Sequence, residues 1–281
     1  MKKLMFLVMA FWAMLSVRAL AQELPWVSMD NVREIGSGYV WADTPVQEYG
    51  SENGFEPIAM SPETAYETLR EAYYAGGDEA TKEILNGWGV ALEPCGYPLL
   101  RDLTDGAETE RMGIYGIPDV RVIGFSGWGW GEEGTLIFVE CWPQWYLWDY
   151  AAGGCEDIHF CAGGEDAAAF LELKVIGHGT GCYAEYVDVY NLGARRIEAS
   201  YTSEGYEVFQ DYGVQVYGAA CYARDGVHIF RSLSPLQLDE TVNEYVPTGT
   251  VLDEFVYRLD IPSSDTPREW TDYRLVRETP E

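Results

Sequence analysis

The clearest pattern along the chain is an alternation of apolar and polar residues that begins near residue 170. Leu171, Leu173 and Val175 alternate with Glu172 and Lys174, the period of a strand with one face in the core. Further segments with strand-like content follow at 186–190, 214–223, 227–231, 251–259 and 273–276. Short strands in regular succession without intervening helices predict an antiparallel β-sandwich or barrel for residues 170–281.

Turn residues separate these strands. Asn191-Leu192-Gly193 predicts a turn, and the stretch 224–226 predicts a hairpin between its two flanking strands. The string 177–182, Gly-His-Gly-Thr-Gly-Cys, predicts another turn, because its glycines permit positive φ. It lacks the Lys-Ser/Thr ending of a P-loop and leads into a strand, so His178 has no assigned chemical role.

The only strong helical signals in the exported part of the chain lie between residues 61 and 87. Ser61 is a predicted N-cap, and Pro62 suits the first helical position. Gly76 and Gly77 predict the end of this helix, and Asp78 predicts the start of a second one. These signals predict a short helical hairpin.

The remaining signals divide the chain into four parts. Strands are predicted at 119–125 and 135–141, and the Gly/Ala-rich stretch 151–169 is typical of a linker. The expected organisation is a signal peptide at 1–21, an N-terminal α+β region at 22–150, a disulfide-pinned linker at 151–169 and an antiparallel β domain at 170–281. The fold class is thus mostly β, and α+β overall.

The first residues have the pattern of a secretory signal peptide. Lys2 and Lys3 precede an apolar run of 12 residues, and Ala19-Leu20-Ala21 fits a cleavage site. The run is shorter than the roughly 18 to 20 residues that span a bilayer. We therefore expect an exported chain, periplasmic or secreted, that does not insert into the membrane after cleavage.

The charge balance narrows the choice of partners. The chain has 46 acidic and 18 basic residues, a formal net charge of −28. Such a chain repels nucleic acids and anionic membranes. The acidic residues favour a well-solvated surface. Calcium binding is an alternative, but no motif supports it, because the segment most similar to an EF-hand loop, 102–110, has the wrong intervals between its carboxylates. No cofactor is predicted.

Six cysteines in an exported chain predict three disulfides, although 15 pairings are possible. We expect sequential pairing. The expected bridges are Cys95 with Cys141, Cys155 with Cys161, and Cys182 with Cys221. The spacing around His159 in the segment 155–161 also resembles a zinc cluster, but zinc needs a fourth ligand and reduced thiols.

Aromatic residues are densest between residues 128 and 150. Trp128 and Trp130 lie between glycines, in a loop where neighbouring side chains cannot easily bury the rings. Exposed rings stack on sugars or on apolar partner residues, so these two are the predicted binding residues. The later tryptophans of the region, Trp142, Trp145 and Trp148, are expected in the core.

These observations favour a non-catalytic exported binding or interaction protein, whose partner is a glycan or another exported protein. The alternative is a polysaccharide hydrolase that uses a carboxylate pair near the aromatic region, from among Glu132, Glu133 and Glu140. The sequence has no Gly-x-Ser-x-Gly nucleophile motif. The sequence does not decide whether the protein is an enzyme, but it favours a non-catalytic role.

Overall fold

The computed structural model describes residues 54–103, 119–126, 132–141, 143–163, 166–209, 212–223, 225–260 and 274–278. These residues form mostly antiparallel strands and one helix. The elements are β1 (Ile58–Ala59), α1 (Pro62–Gly87), β2 (Tyr97–Asp102), β3 (Val120–Ser126), β4 (Glu132–Cys141), β5 (Gln144–Ala151), β6 (Gly154–Gly163), β7 (Asp166–Gly179), β8 (Cys182–Asn191), β9 (Arg196–Phe209), β10 (Tyr212–Ala223), β11 (Gly226–Asp239), β12 (Glu244–Pro247), β13 (Val251–Asp260) and β14 (Arg274–Arg277).

The strands form two open antiparallel sheets. The first has the order β1-β5-β4-β3-β2, and the second has the order β14-β13-β11-β10-β9-β8-β7-β6, with β12 paired to β11. The first sheet ends at Ala151 and the second begins at Gly154. The predicted linker at 151–169 is therefore wrong, because most of it forms β6 and the start of β7. Among the described strands, no ladder closes either sheet into a barrel.

The helix begins where the sequence predicts. Ser61 has extended backbone angles, and its hydroxyl accepts a hydrogen bond from the Thr64 amide at 3.1 Å. The break predicted at Gly76-Gly77 is confirmed, because Gly77 has the non-helical angles φ 68° and ψ −150° and separates two helical segments. The predicted helical hairpin is not supported, since both segments belong to one kinked element, α1. Glycine adopts this φ at little steric cost, so the helix resumes beyond the kink. The Asp78 carboxylate accepts the Gly96 amide at 2.8 Å. No helix in the described ranges has the length and apolar character needed to cross a membrane.

Three apolar cores separate four layers, which are α1, the first sheet, strands β6 to β9, and the strands from β10 to β14. The first core lies between α1 and one face of the first sheet, where Leu69 and Phe138 are fully buried. The second lies between the other face of that sheet and strands β6 to β9. The third lies between β6 to β9 and the strands from β10 to β14, which fold back over them. Leu171 belongs to the second core and Phe170 to the third, so β7 is buried on both faces.

None of the six cysteines forms a disulfide, and all six lie among the described residues. Cys155 and Cys161 lie in the same strand, β6, where six steps of about 3.3 Å separate their Cα atoms by roughly 20 Å. A disulfide needs Cα atoms within about 7 Å. The predicted bridge between these two residues is therefore wrong, and no disulfide pins the segment.

The other two predicted bridges are also wrong. Cys182 begins β8 and Cys221 lies near the end of β10, with the whole of β9 between those strands. Cys95 precedes β2 and Cys141 ends β4, which puts them at opposite ends of the first sheet. The distances within these two cysteine pairs depend on the order and register of the strands. The order of the cysteines along the chain does not reveal either.

Candidate functional site

The residues predicted for binding lie outside the described part of the chain. Trp128, Trp130 and Trp142 are not among the described residues, so the exposure of the first two and the burial of Trp142 stay predictions. Trp145 and Trp148 are half-buried and pack against the first and second cores, which confirms the expectation for these two.

The predicted carboxylates do not form a site in the described residues. Glu132 and Glu133 begin β4, and their side chains lie outside the described part. Glu140 is half-buried at the other end of that strand. In the described ranges, no group of three or more His, Cys, Asp and Glu side chains is arranged to hold a metal ion.

Three tyrosines instead form an exposed aromatic surface on neighbouring strands β8, β9 and β10. Tyr183 lies directly opposite Tyr206, and their rings stack with centroids 6.0 Å apart and planes at 23°. Tyr206 lies opposite Gln215, whose Nε2 donates to the Tyr217 hydroxyl at 2.7 Å. Directly opposite residues share a face of the sheet, so all four side chains lie on one face. Tyr206 is 41% exposed and Tyr217 is 47% exposed.

Two carboxylates lie on the same face. Glu185 is opposite Glu204, and Glu204 is opposite Tyr217. We call this set the tyrosine face. Its members are Tyr183, Glu185, Glu204, Tyr206, Gln215 and Tyr217.

The two acids have different surroundings. Glu185 is half-buried, lies 3.5 Å from the Lys174 ammonium and accepts the Ser203 hydroxyl at 2.5 Å. Glu204 is exposed. Burial raises the pKa of Tyr183, and the charges of Glu185 and Glu204 raise it further. Tyr183 is therefore a neutral hydrogen-bonding group near neutral pH.

Local sequence features build this face. The turn predicted at 177–182 is confirmed: β7 ends at Gly179, β8 begins at Cys182, and Gly181 has a φ of 78°. His178, opposite Tyr183, is exposed at the border of the tyrosine face. The β8–β9 register shifts after Glu185, which leaves Ser203 as an extra residue in β9. Such a bulge brings Ser203 and Glu204 together beside Glu185.

A second polar cluster ties strands β6, β7, β9 and β10 together. The Glu172 carboxylate accepts the hydroxyls of Tyr201 at 3.1 Å and Tyr222 at 3.0 Å, and lies 3.4 Å from His159 Nε2. The ring of His159 stacks on that of Tyr222, with centroids 4.2 Å apart. This cluster connects β6, at the edge of the second sheet, to the strand that folds back over it.

The electrostatics of this cluster argue against acid catalysis. Burial would raise the pKa of Glu172, but hydrogen bonds from His159 and the two tyrosines, together with the His159 charge, outweigh it and lower that pKa. Burial and the Glu172 charge raise the pKa values of Tyr201 and Tyr222. A general acid needs a raised carboxyl pKa. Glu172 is instead held ionised by groups that have a structural role.

Other buried charged groups also have structural partners. The Tyr190 hydroxyl donates to Asp149 at 2.5 Å in the second core. Glu198 accepts the Leu275 amide at 2.7 Å and the Asn191 side-chain amide at 2.8 Å. These contacts join strands that are distant in sequence, so these buried groups support the fold.

Sequence reasoning missed the tyrosine face because its residues are scattered among 20 tyrosines. Alternation along each strand identifies exposed positions, but only the register shows which of them are neighbours. Comparisons with protein-family models, curated proteins and solved structures gave no match to this chain.

Proposed function

We propose that the protein is an exported, non-catalytic binding protein that recognises a glycan through the tyrosine face. The observation that supports this proposal is the set of three tyrosine rings on one face of adjacent strands, two of them more than a third exposed. Tyrosine offers a large amphipathic contact at low entropic cost, and its ring stacks on the apolar face of a sugar.

The scaffold suits this role. The face lies on long ladders of β8 to β10, with strands about 4.8 Å apart, so the rings hold fixed positions relative to one another. Gln215 and Glu204 supply polar groups beside the rings for sugar hydroxyls. In this proposal the second sheet is a sandwich-like scaffold, and Trp128 and Trp130 form a further contact surface. Another exported protein is the alternative partner.

The proposed location is outside the cytoplasm, in the periplasm or beyond it. The signal-peptide pattern at 1–21 supports export, and the net charge of −28 suits a well-solvated surface. The same charge disfavours nucleic acids and anionic membranes as partners.

A glycan-array screen with the exported form of the chain tests the proposal. The test variant carries Tyr206→Ala and Tyr217→Ala, and the matched control is Tyr74→Ala, which removes a 73% exposed tyrosine from α1. We expect specific binding that the control keeps and the double variant loses, with unchanged circular dichroism. Binding that survives in the double variant would overturn the assignment to this face. A Trp128→Ala, Trp130→Ala variant run in parallel then tests the loop.

A second candidate function, polysaccharide hydrolysis, is favoured by one observation. Glu185 and Glu204 are direct cross-strand partners, so two carboxylates project from the same face of the sheet beside the tyrosine rings. Retaining glycosidases use carboxyl groups about 5 to 5.5 Å apart. Release of reducing ends from a bound glycan, abolished by Glu204→Gln, would favour the hydrolase. Binding without release favours the binding protein.

A further inference from the structure

The charge on the tyrosine face restricts which glycan it can bind. Both acids of the face lie beside the rings, and the Lys174 ammonium is already engaged with Glu185. Glu204 remains exposed, next to Tyr217 on the adjacent strand and two residues from Tyr206. The ring surface therefore carries an exposed negative charge at its centre.

This arrangement discriminates between classes of sugar polymer. Uronic acids and sulfated or phosphorylated sugars are repelled by Glu204 and by the net charge of −28. Neutral sugars gain only stacking and hydrogen bonds. A protonated amine gains an ion pair with Glu204, and it is also attracted to the faces of the tyrosine rings.

We propose that the ligand of the tyrosine face is a polysaccharide whose sugars carry free amino groups. This inference rests on the proposed function and adds the chemical class of the ligand. The stacked rings of Tyr183 and Tyr206 would bind the sugar ring, and Glu204 would bind the ammonium group.

Calorimetric titration with two probes of equal length tests this inference. The probes are the glucosamine hexamer and the N-acetylglucosamine hexamer, in mildly acidic buffer that keeps the free amines protonated. We expect tighter binding of the glucosamine hexamer, and a preference that shrinks as salt is added. Glu204→Gln should weaken binding of that probe by about two- to five-fold, the usual range for an exposed ion pair. It should weaken binding of the acetylated probe less, because a glutamine side chain still hydrogen-bonds sugar hydroxyls but forms no ion pair.

A control variant separates the effect of the Glu204 charge on binding from the effect of the protein's net charge. Glu83→Gln removes an exposed acid from α1 and changes the net charge by the same amount. We expect it to leave both affinities unchanged. Equal binding of both probes, insensitive to Glu204→Gln, would overturn the amine preference while leaving glycan binding intact. Failure of both probes would also overturn it, and the glycan array would then decide separately whether the face binds any sugar.

Discussion

The rings of Tyr183 and Tyr206 stack across the β8–β9 ladder, 6.0 Å apart at their centroids. This contact joins residues from two strands and fixes the position of both rings on the solvent side. The neighbouring pair, Tyr206 and Gln215, extends the surface to β10. The candidate site is thus a product of strand register.

The bulge in β9 places one extra residue, Ser203, beside the tyrosine face. Deleting Ser203 should leave Glu204 opposite Glu185 and Thr202 opposite Tyr186, so the ladder becomes regular there and every other side chain keeps its face of the sheet. We expect the deletion to lower the free energy of unfolding by less than about 3 kcal/mol, because it does not displace the core. Denaturant titration measures the change.

The matched control for that deletion is Ser203→Ala, which keeps the bulge and removes the hydrogen bond to Glu185. It should cost only about 0.5 to 1.5 kcal/mol. A loss far above about 3 kcal/mol on deletion would contradict this account, because it would mean that the pairs on either side of Ser203 are not kept.

Ionised Glu172 should make the free energy of unfolding depend on pH in the acidic range. Its pKa is lower in the folded protein than the ordinary value of 4.5, so the folded state favours the ionised form. The resulting stabilisation is fully present above that value and is lost as pH falls through the lowered folded pKa. Glu172→Gln should therefore be less stable at neutral pH, by about 1 to 3 kcal/mol, and should lose less stability on acidification.

Unfolding titrations at several acidic pH values check this account of Glu172. Tyr222→Phe removes one of its hydrogen-bond donors and should reduce the acid dependence without abolishing it. An unchanged pH profile in Glu172→Gln would contradict the assigned role.

Thiol reactivity should follow burial. Cys141 and Cys221 are exposed, and Cys155 and Cys161 are buried. Burial raises the pKa of the Cys161 thiol to about 12, which suppresses the reactive thiolate. We expect a thiol reagent to modify the exposed pair first and the buried pair only after unfolding.

Intact mass measured before and after reduction supplies the control for thiol reactivity. Identical masses are expected, because none of the six cysteines is in a disulfide. A gain of two hydrogens for each reduced bridge would contradict the structure at those cysteines.

Gly226 should tolerate no side chain. It begins β11 with a φ of 144°, and a Cβ there would overlap the Tyr257 carbonyl oxygen. Gly226→Ala should cost more than about 3 kcal/mol, through both strain and steric overlap. Gly87→Ala is the control, since a Cβ at the end of α1 meets no atom within 4 Å. Thermal melts of both variants check this, and a mild effect at Gly226 would refute it.

Local signals in the sequence predicted local structure well. Ser61 caps the helix, and Gly181 provides the turn between β7 and β8, because each feature depends on a few adjacent residues. The sequence does not predict the strand β5, since Leu147 and Trp148 pack into cores on opposite faces and leave no alternation of apolar and polar residues. The small residues of β6 are typical of a linker, but small side chains also fit a strand enclosed between layers.

The candidate site and the cysteine pairing could not be predicted in the same way. Tyr206 and Tyr217 are neighbours only because β9 and β10 pair in one register. Cys155 and Cys161 are close in sequence, but they are kept apart by the extended strand that they share. Both depend on long-range pairing, which a single sequence specifies only through the whole fold.

The most direct test of glycan recognition is calorimetric titration of a glycan that binds on the array into the unmodified protein and the Tyr206→Ala, Tyr217→Ala variant. Stacking of a nucleic-acid base on an aromatic side chain contributes about 1 to 3 kcal/mol per base in other proteins. With sugar stacking of similar strength, loss of the two rings should weaken the affinity at least tenfold, which corresponds to about 1.4 kcal/mol. The melting temperature should change little, because both rings are exposed. Unchanged affinity in a folded variant would contradict the assignment of glycan binding to the tyrosine face.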